Sequence, residues 1–123
     1  MAAADRFLGD DKGNGYGIPY VAKDYPWGSN SSLLNRAMLL GLAHDFTGAA
    51  KYRAGVVAAM DYVLGRNPLG QSYVSGYGAR PLTNPHHRFW AHSLDPALPP
   101  PPPGALSGGP NSTNMSDDVA ARL

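Results

Sequence analysis

The chain has 123 residues, enough for one small domain, and its ten basic and nine acidic residues leave a net charge of +1 with the histidines neutral. This balance argues against nucleic acid and against a membrane surface as partners, and it favours a neutral ligand. Cysteine is absent, which excludes disulfides and thiolate chemistry, and no apolar run approaches the ~20 residues of a membrane span.

Residues 1–28 are rich in turn residues and aromatic side chains, and no helical or strand period persists along them. We therefore expect a structured loop or tail here. Met1–Asp11 has no basic segment followed by an apolar one, so we do not expect it to be a signal peptide.

A first helix is predicted after Ser29–Ser32, whose side chains are all acceptable N-caps, and Gly48 is expected to end it. Its apolar stripe at 3.6-residue spacing comprises Leu34, Ala37, Met38, Gly41, Leu42 and Phe46, and Leu33, Leu39 and Leu40 widen it.

A second helix is predicted from Ala49, with Gly65 and Pro68 ending it. Its stripe comprises Tyr52, Val56, Val57, Met60, Val63 and Leu64. The short connection favours an antiparallel helix pair. Both apolar faces are broad, so each helix calls for a neighbour that these residues do not supply, and we expect the chain to be part of a larger helical domain.

Two irregular segments follow the second helix. The first, Ser72–Arg88, is a loop with glycine and proline turns that ends in two histidines and an arginine, and Phe89 and Trp90 come directly after it. The second runs from Asp95 to Gly109, and its five prolines, Pro99–Pro103, predict an extended, semi-rigid strap.

The loop carries the groups that point to a function. Hydrogen-bonding groups come from His86, His87, Arg88 and His92, and flat apolar rings come from Tyr73, Tyr77, Phe89, Trp90 and, upstream, Trp27. Apolar rings beside forked donors suit sugars, which present C–H faces and equatorial hydroxyls, so we expect a neutral carbohydrate ligand.

Other interpretations stay open. A metal site could use His86, His87 and His92, although neighbouring histidines tend to point apart. Serine hydrolysis and phosphate binding are disfavoured because neither a serine-centred elbow nor a phosphate-loop pattern accompanies the glycines. Each aromatic residue could also serve packing alone. A structural role is the favoured interpretation for His92 and for His44, the latter because it lies on a helix among apolar residues.

Ser72–Arg88 resembles the histidine signature of family 9 glycoside hydrolases, the inverting endoglucanases and related cellulases. The matching positions are Ser72, Val74, Ser75, Gly78, Arg80, Pro85, His86, His87 and Arg88. The helix pair before the loop and the strap after it are similar to the same family, so the resemblance covers nearly the whole chain.

The resemblance implies an all-α fold in which residues 1–123 form a C-terminal part of an (α/α)6 barrel, a helix pair with long Pro/Gly-rich loops. It implies that His86 acts at the catalytic centre, that Arg88, Tyr77 and Trp27 bind the β-1,4-glucan, and that His87 is structural. It also implies no cofactor and no metal, and secretion, because polymeric glucan lies outside cells.

Inverting hydrolysis requires a carboxylic acid and a carboxylate base. The family places the base in a DAGD-like motif upstream and the acid in an NEV-like motif downstream, and neither motif occurs here. All nine acidic residues are aspartates, and we do not assign Asp117 or Asp118 to catalysis. We therefore expect this polypeptide alone to be inactive, and its exact glucan preference and mode of attack are not readable from it.

Overall fold

A computed structural model describes residues 1–21 and 25–112. Its elements in chain order are α1 (Ala2–Gly9), a 3₁₀-helix (Asp10–Gly13), α2 (Ser29–Thr47), α3 (Ala50–Val63), β1 (Ser72–Ser75) and β2 (Pro81–Leu82). The chain divides into two compact units, the first comprising Met1–Ala59 with the chain from Gly108, and the second Met60–Ser107. The predicted helix pair with long loops is confirmed.

The expectation that residues 1–28 lack regular structure is wrong at the N-terminus, where α1 forms. Ala4 is buried, and Phe7 and Leu8 pack on a core cluster that includes Leu40 of α2. So short a helix shows too few turns to reveal a period, and short helices are stabilised mainly by packing of this kind.

Arg36 attaches the N-terminal segment to α2. Its guanidinium carbon lies 4.8 Å from the centre of the Phe7 ring and 4.7 Å from that of Tyr20, and Nη1 donates to Asp10 Oδ2 at 2.7 Å. One half-buried arginine therefore holds α1, the 3₁₀-helix and the loop that follows them against α2, through ring stacking and a charge-assisted hydrogen bond.

The start of α2 differs from the prediction, because none of the four polar residues Ser29–Ser32 caps it with its side chain. Gly28 is the N-cap, with φ of +78°, and the amide of Asn30 donates to Gly108 O at 3.1 Å. The Ser29 hydroxyl donates to Pro110 O at 2.6 Å. A distant backbone segment therefore satisfies the helix end, a solution that local sequence does not reveal.

The predicted apolar face of α2 is buried only in part within this chain. Leu33, Leu40 and Ala43 are buried together with Ala37, whereas Phe46 is 80% exposed. Met38, Leu39 and Leu42 are exposed with it on the opposite face. Because both faces carry apolar residues at helical spacing, periodicity alone could not select between them.

Gly48 ends α2 as predicted, with φ of +67° and its amide bonded to His44 O. The pairing of α2 with α3 depends on Gly55, which is buried inside α3. A Cβ at Gly55 would lie 2.7 Å from Leu40 Cδ1 and 2.8 Å from Leu8 Cδ2. The missing side chain therefore allows the close approach of α1 and α2 to α3.

The second unit contains regular structure that the sequence did not suggest. β1 and β2 pair in parallel with an irregular register, and Val74 forms an antiparallel bridge with Leu106. Ser107 N also donates to Tyr73 O at 2.9 Å. The start of the loop that was predicted to be irregular is thus a strand, β1. It pairs with β2 later in the same loop and with the strap at Leu106.

No helix within residues 1–21 and 25–112 combines the length and apolarity that crossing a membrane requires. Asp117 and Asp118 lie outside the described residues.

An ion pair between α1 and α3 gives a pH dependence with a definite sign. Lys51 Nζ and the Tyr52 hydroxyl both donate to Asp5 Oδ1. The Lys51 hydrogen bond first, and that from Tyr52 second, hold the pKa of Asp5 below its ordinary value, and the bond to Asp5 raises the pKa of Lys51.

A depressed aspartate pKa contributes stability above the ordinary pKa, and this contribution is lost as pH falls through the lowered value. The raised lysine pKa contributes stability below the ordinary lysine value, and it is lost as pH rises through the raised one. We expect an NMR titration of the Asp5 carboxyl carbon to give a low midpoint, and Lys51→Met to move it upward. Arg53→Met is the control, and an equal shift in both variants would contradict the pair.

Candidate functional site

The site begins at the connection between α3 and β1, which Asn67 fixes. Its buried amide donates to Tyr62 O and to Gln71 O, both at 2.8 Å, and its Oδ1 accepts from the amide of Leu69 at 3.1 Å. The amide of Gln71 also donates to Oδ1 at 3.5 Å, so one side chain satisfies four backbone groups just before β1 begins.

Gly78 allows the loop to fold back on its own start. Its φ is +88°, and a Cβ at this position would lie 2.8 Å from Ser72 Cβ and 2.9 Å from Leu64 O. Both the left-handed conformation and the lack of space require glycine here.

Ser75 joins the loop to the proline strap. Its hydroxyl donates to Pro102 O and accepts from the amide of Ala105 at 2.9 Å, while its own amide donates to Ala105 O at 3.0 Å. Gly104 N donates to Ser75 O at 2.8 Å. Ser75 is buried, and this network satisfies its hydroxyl and both of its backbone groups while it joins the strap to the loop.

The histidine-rich end of the loop borders an open depression of about 480 Å³. Its lining residues are Asn84, Pro85, His86, His87, Arg88, Ala91, Ser93, Leu94 and Leu98. The structure therefore brings His86 and Arg88, two of the predicted site residues, to one concave surface. Both are exposed, so a ligand in the depression can reach an imidazole and a forked cation together.

The far side of the depression is a compact turn. Asp95 Oδ1 accepts from the amide of Ala97 at 2.9 Å, and Leu98 N donates to Asp95 O at 2.9 Å. His92 Nδ1 lies 2.8 Å from Leu98 O. These bonds fold residues 91–98 into a turn, and four of its residues, Ala91, Ser93, Leu94 and Leu98, line the depression together with His86.

His87 differs from its neighbours because its ring is bound to its own turn. Nδ1 accepts from the amides of Phe89 and Trp90, both at 3.1 Å. The ring also stacks on that of Trp90, with centres 4.2 Å apart and planes 19° from parallel. This arrangement supports the structural role predicted for His87.

Two predicted binding residues lie elsewhere. Tyr77 is 56% exposed, and its ring passes near Gly104 of the strap, outside the lining of the depression. Trp27 belongs to the first unit, just before α2, and is 79% exposed. Exposure of both rings is compatible with stacking on a sugar, and their binding roles stay predictions.

Among the described residues, no group of three or more histidine or acidic side chains is placed to hold a metal ion. Of the three histidines considered for a metal, His87 and His92 have Nδ1 directed at backbone groups. His44 Nδ1 lies 3.2 Å from Ala49 O, a contact that fits the structural role expected for it.

Sequence reasoning missed one wall of the depression, formed by Ala91, Ser93, Leu94 and Leu98. None of these residues has a chemistry that singles it out in a sequence. The one signal in the sequence for this wall is the proline run that follows it, because a rigid strap limits the directions in which residues 91–98 can turn.

Comparison with known proteins gives a single family. Residues 3–121 match the model of Glycosyl hydrolase family 9. The chain is 53% identical over 126 aligned residues to a cellulose 1,4-beta-cellobiosidase of Acetivibrio thermocellus, covering 98% of this chain and 14% of that protein. It is 44% identical to endoglucanase C of Cellulomonas fimi, covering 99% of this chain and 11% of that protein.

A solved structure, AaCel9A in complex with cellobiose-like isofagomine, superposes with a TM-score of 0.80 at 38% identity, over 98% of this chain and 22% of that one. The chain therefore spans between about a tenth and a quarter of the length of these relatives.

Proposed function

Because this chain belongs to glycoside hydrolase family 9, we propose that the protein of which it forms part hydrolyses β-1,4-glucosidic bonds in cellulose or a related β-glucan. The expected fold, an all-α segment of an (α/α)6 barrel, is confirmed by the solved relatives. The relatives named as a cellobiosidase and an endoglucanase support the reaction class.

The observation that carries the proposal is the shared placement of His86 and Arg88. Both border one open depression, held between a loop anchored by Ser75 and the turn at Asp95. Bonding to sugar hydroxyls requires donors that a ligand can reach, and His86 and Arg88 are both exposed at the depression, so neither has to bury a charge.

The proposed mechanism is inverting hydrolysis. A carboxylic acid protonates the leaving oxygen while a carboxylate, about 6.5 to 9.5 Å away, activates water on the opposite face of the ring. These 123 residues contain no glutamate. The role proposed for this segment is therefore to hold and orient the sugar with His86 and Arg88, while residues beyond the segment supply the proton transfers.

The decisive experiment compares two polypeptides on carboxymethyl cellulose. One is the 123-residue chain, and the other, the extended protein, includes the flanking reading frame on both sides. We expect new reducing ends only with the extended protein. Hydrolysis by the short chain would refute our assignment of the acid and base, and an extended protein that neither binds nor cleaves glucan would refute the proposed function.

A non-catalytic glycan-binding helical module is the second candidate, favoured by the exposure of the Trp27 and Tyr77 rings, which are 79% and 56% exposed. It predicts that the extended protein retains cellulose in a pull-down assay and releases no reducing ends.

Arg88→Lys should impair the extended protein, although the charge is kept. A guanidinium donates two parallel hydrogen bonds in a fixed plane, whereas an ammonium is a point charge on a flexible stem. We expect kcat/KM on cellohexaose to fall by about 10-fold, the equivalent of one lost hydrogen bond to a charged group. Arg53→Lys, on the exposed side of α3, is the matched control. Wild-type kinetics in Arg88→Lys would mean that Arg88 only braces the loop.

A further inference from the structure

We propose that His87 is a positioning residue: its imidazole closes the turn that directs His86 and Arg88 toward the bound sugar. The part of this proposal that concerns sugar binding rests on the proposed function. The closure of the turn depends only on the contacts of His87 itself.

The contacts of His87 define one hydrogen-bonding state. Nδ1 lies 3.1 Å from the amide nitrogens of both Phe89 and Trp90, and an amide N–H can only donate. Nδ1 must therefore present its lone pair, and the ring proton of the neutral imidazole must be on Nε2. His87 acts here as a side-chain acceptor for the amides two and three residues ahead.

This closure restricts the backbone between its ends. An acceptor at residue i that receives the amides of i+2 and i+3 imitates the turns made by aspartate and asparagine, and it fixes the conformation of the enclosed residues. Arg88 is enclosed directly, and His86 precedes the closing residue. The backbone that carries Arg88 is therefore restrained by the His87 ring, and His86 is joined directly to the residue that closes the turn.

Stacking adds a second restraint. The rings of His87 and Trp90 are 4.2 Å apart and 19° from parallel, so one face of Trp90 is covered by the imidazole. This geometry favours Trp90 as part of the turn over Trp90 as a sugar platform with both faces free. It also holds the His87 ring in the orientation that points Nδ1 at the two amides.

Three substitutions separate the two restraints. His87→Asn removes the stacked ring but keeps an acceptor, because asparagine Oδ1 is separated from Cα by the same number of covalent bonds as histidine Nδ1. His87→Phe keeps a ring and removes the acceptor, and His87→Ala removes both. Since His87 is exposed, none of the three opens a cavity in the core.

The first readout is exchange of the Trp90 amide with solvent. The measurement is made on the extended protein labelled with [15N]tryptophan, in which the Trp90 amide is identified as the signal that disappears in Trp90→Phe. We expect slow exchange with His87 or His87→Asn and fast exchange with His87→Phe or His87→Ala. Equal exchange in all four would overturn the closure of the turn by Nδ1.

The second readout is kinetics of the extended protein on cellohexaose. We expect His87→Ala and His87→Phe to lower kcat/KM by about 10²-fold, the size of effect that small misplacement of functional groups produces, and His87→Asn to restore most of it. If His87→Phe restores activity as well as His87→Asn does, the positioning role is refuted. An extended protein with His87 intact but without activity refutes the proposed function instead, and the exchange experiment then still decides whether His87 closes the turn.

Discussion

In the extended protein, His86→Ala is expected to lower kcat on cellohexaose by about 10²- to 10³-fold while changing KM little, the size of loss found when one fixed donor to a developing charge is removed. The imidazole borders the depression and is exposed, so its removal would take away the proposed hydrogen bond to the sugar and no buried packing. A contact that strengthens at the reacting ring affects turnover more than binding.

Thr83→Ala is the control for His86→Ala, because Thr83 is an exposed residue of the same loop that does not line the depression. It should retain wild-type kinetics. A His86→Ala variant with an unchanged kcat would remove His86 from the catalytic centre, and one with a raised KM alone would assign it to binding only.

Within the loop Ser72–Arg88, Gly78→Ala is expected to be the single substitution that lowers stability most. A left-handed conformation costs a residue with a side chain about 1–2 kcal/mol. Overpacking adds about 1–3 kcal/mol, because the new methyl group would meet Ser72 Cβ and Leu64 O, and the latter is backbone. Chemical denaturation of the extended protein should therefore show a free energy of unfolding lower by about 2–5 kcal/mol.

Gly104→Ala separates the two causes. Its φ of +90° matches the +88° of Gly78, and its nearest neighbour to an added Cβ is a Tyr77 ring carbon at 3.9 Å, an ordinary contact. It should lose only the conformational part, about 1–2 kcal/mol. Equal losses in both variants would mean that crowding around Gly78 contributes nothing.

The parts of the fold that could be predicted are those with local causes. The helix pair followed from apolar spacing and from Gly48, whose left-handed conformation ends α2. The proline strap followed from the restricted backbone of Pro99–Pro103. His86, His87 and Arg88 could be singled out because their chemistry and spacing lie within one short stretch, and the structure places all three at one depression.

The parts that could not be predicted depend on distant residues. The choice between the two apolar faces of α2 was made by α1 and α3, whose Leu8 and Gly55 meet Leu40. The start of α2 is satisfied by Gly108 O, some eighty positions along the chain, and not by a serine side chain. Neither partner can be found by inspecting the helix itself.

The amino-acid sequence by itself determined the two long helices and the glycine that ends α2, since each is set by conformational preferences over a few positions, and it singled out His86 and Arg88 by their chemistry. Only the tertiary structure decided which helix face is buried, how Ser75 fastens the strap to the loop, and that His87 closes a turn while His86 and Arg88 border the open depression. The physical reason is that burial and hydrogen-bond satisfaction are settled between segments far apart in the chain, where no local pattern records the partner.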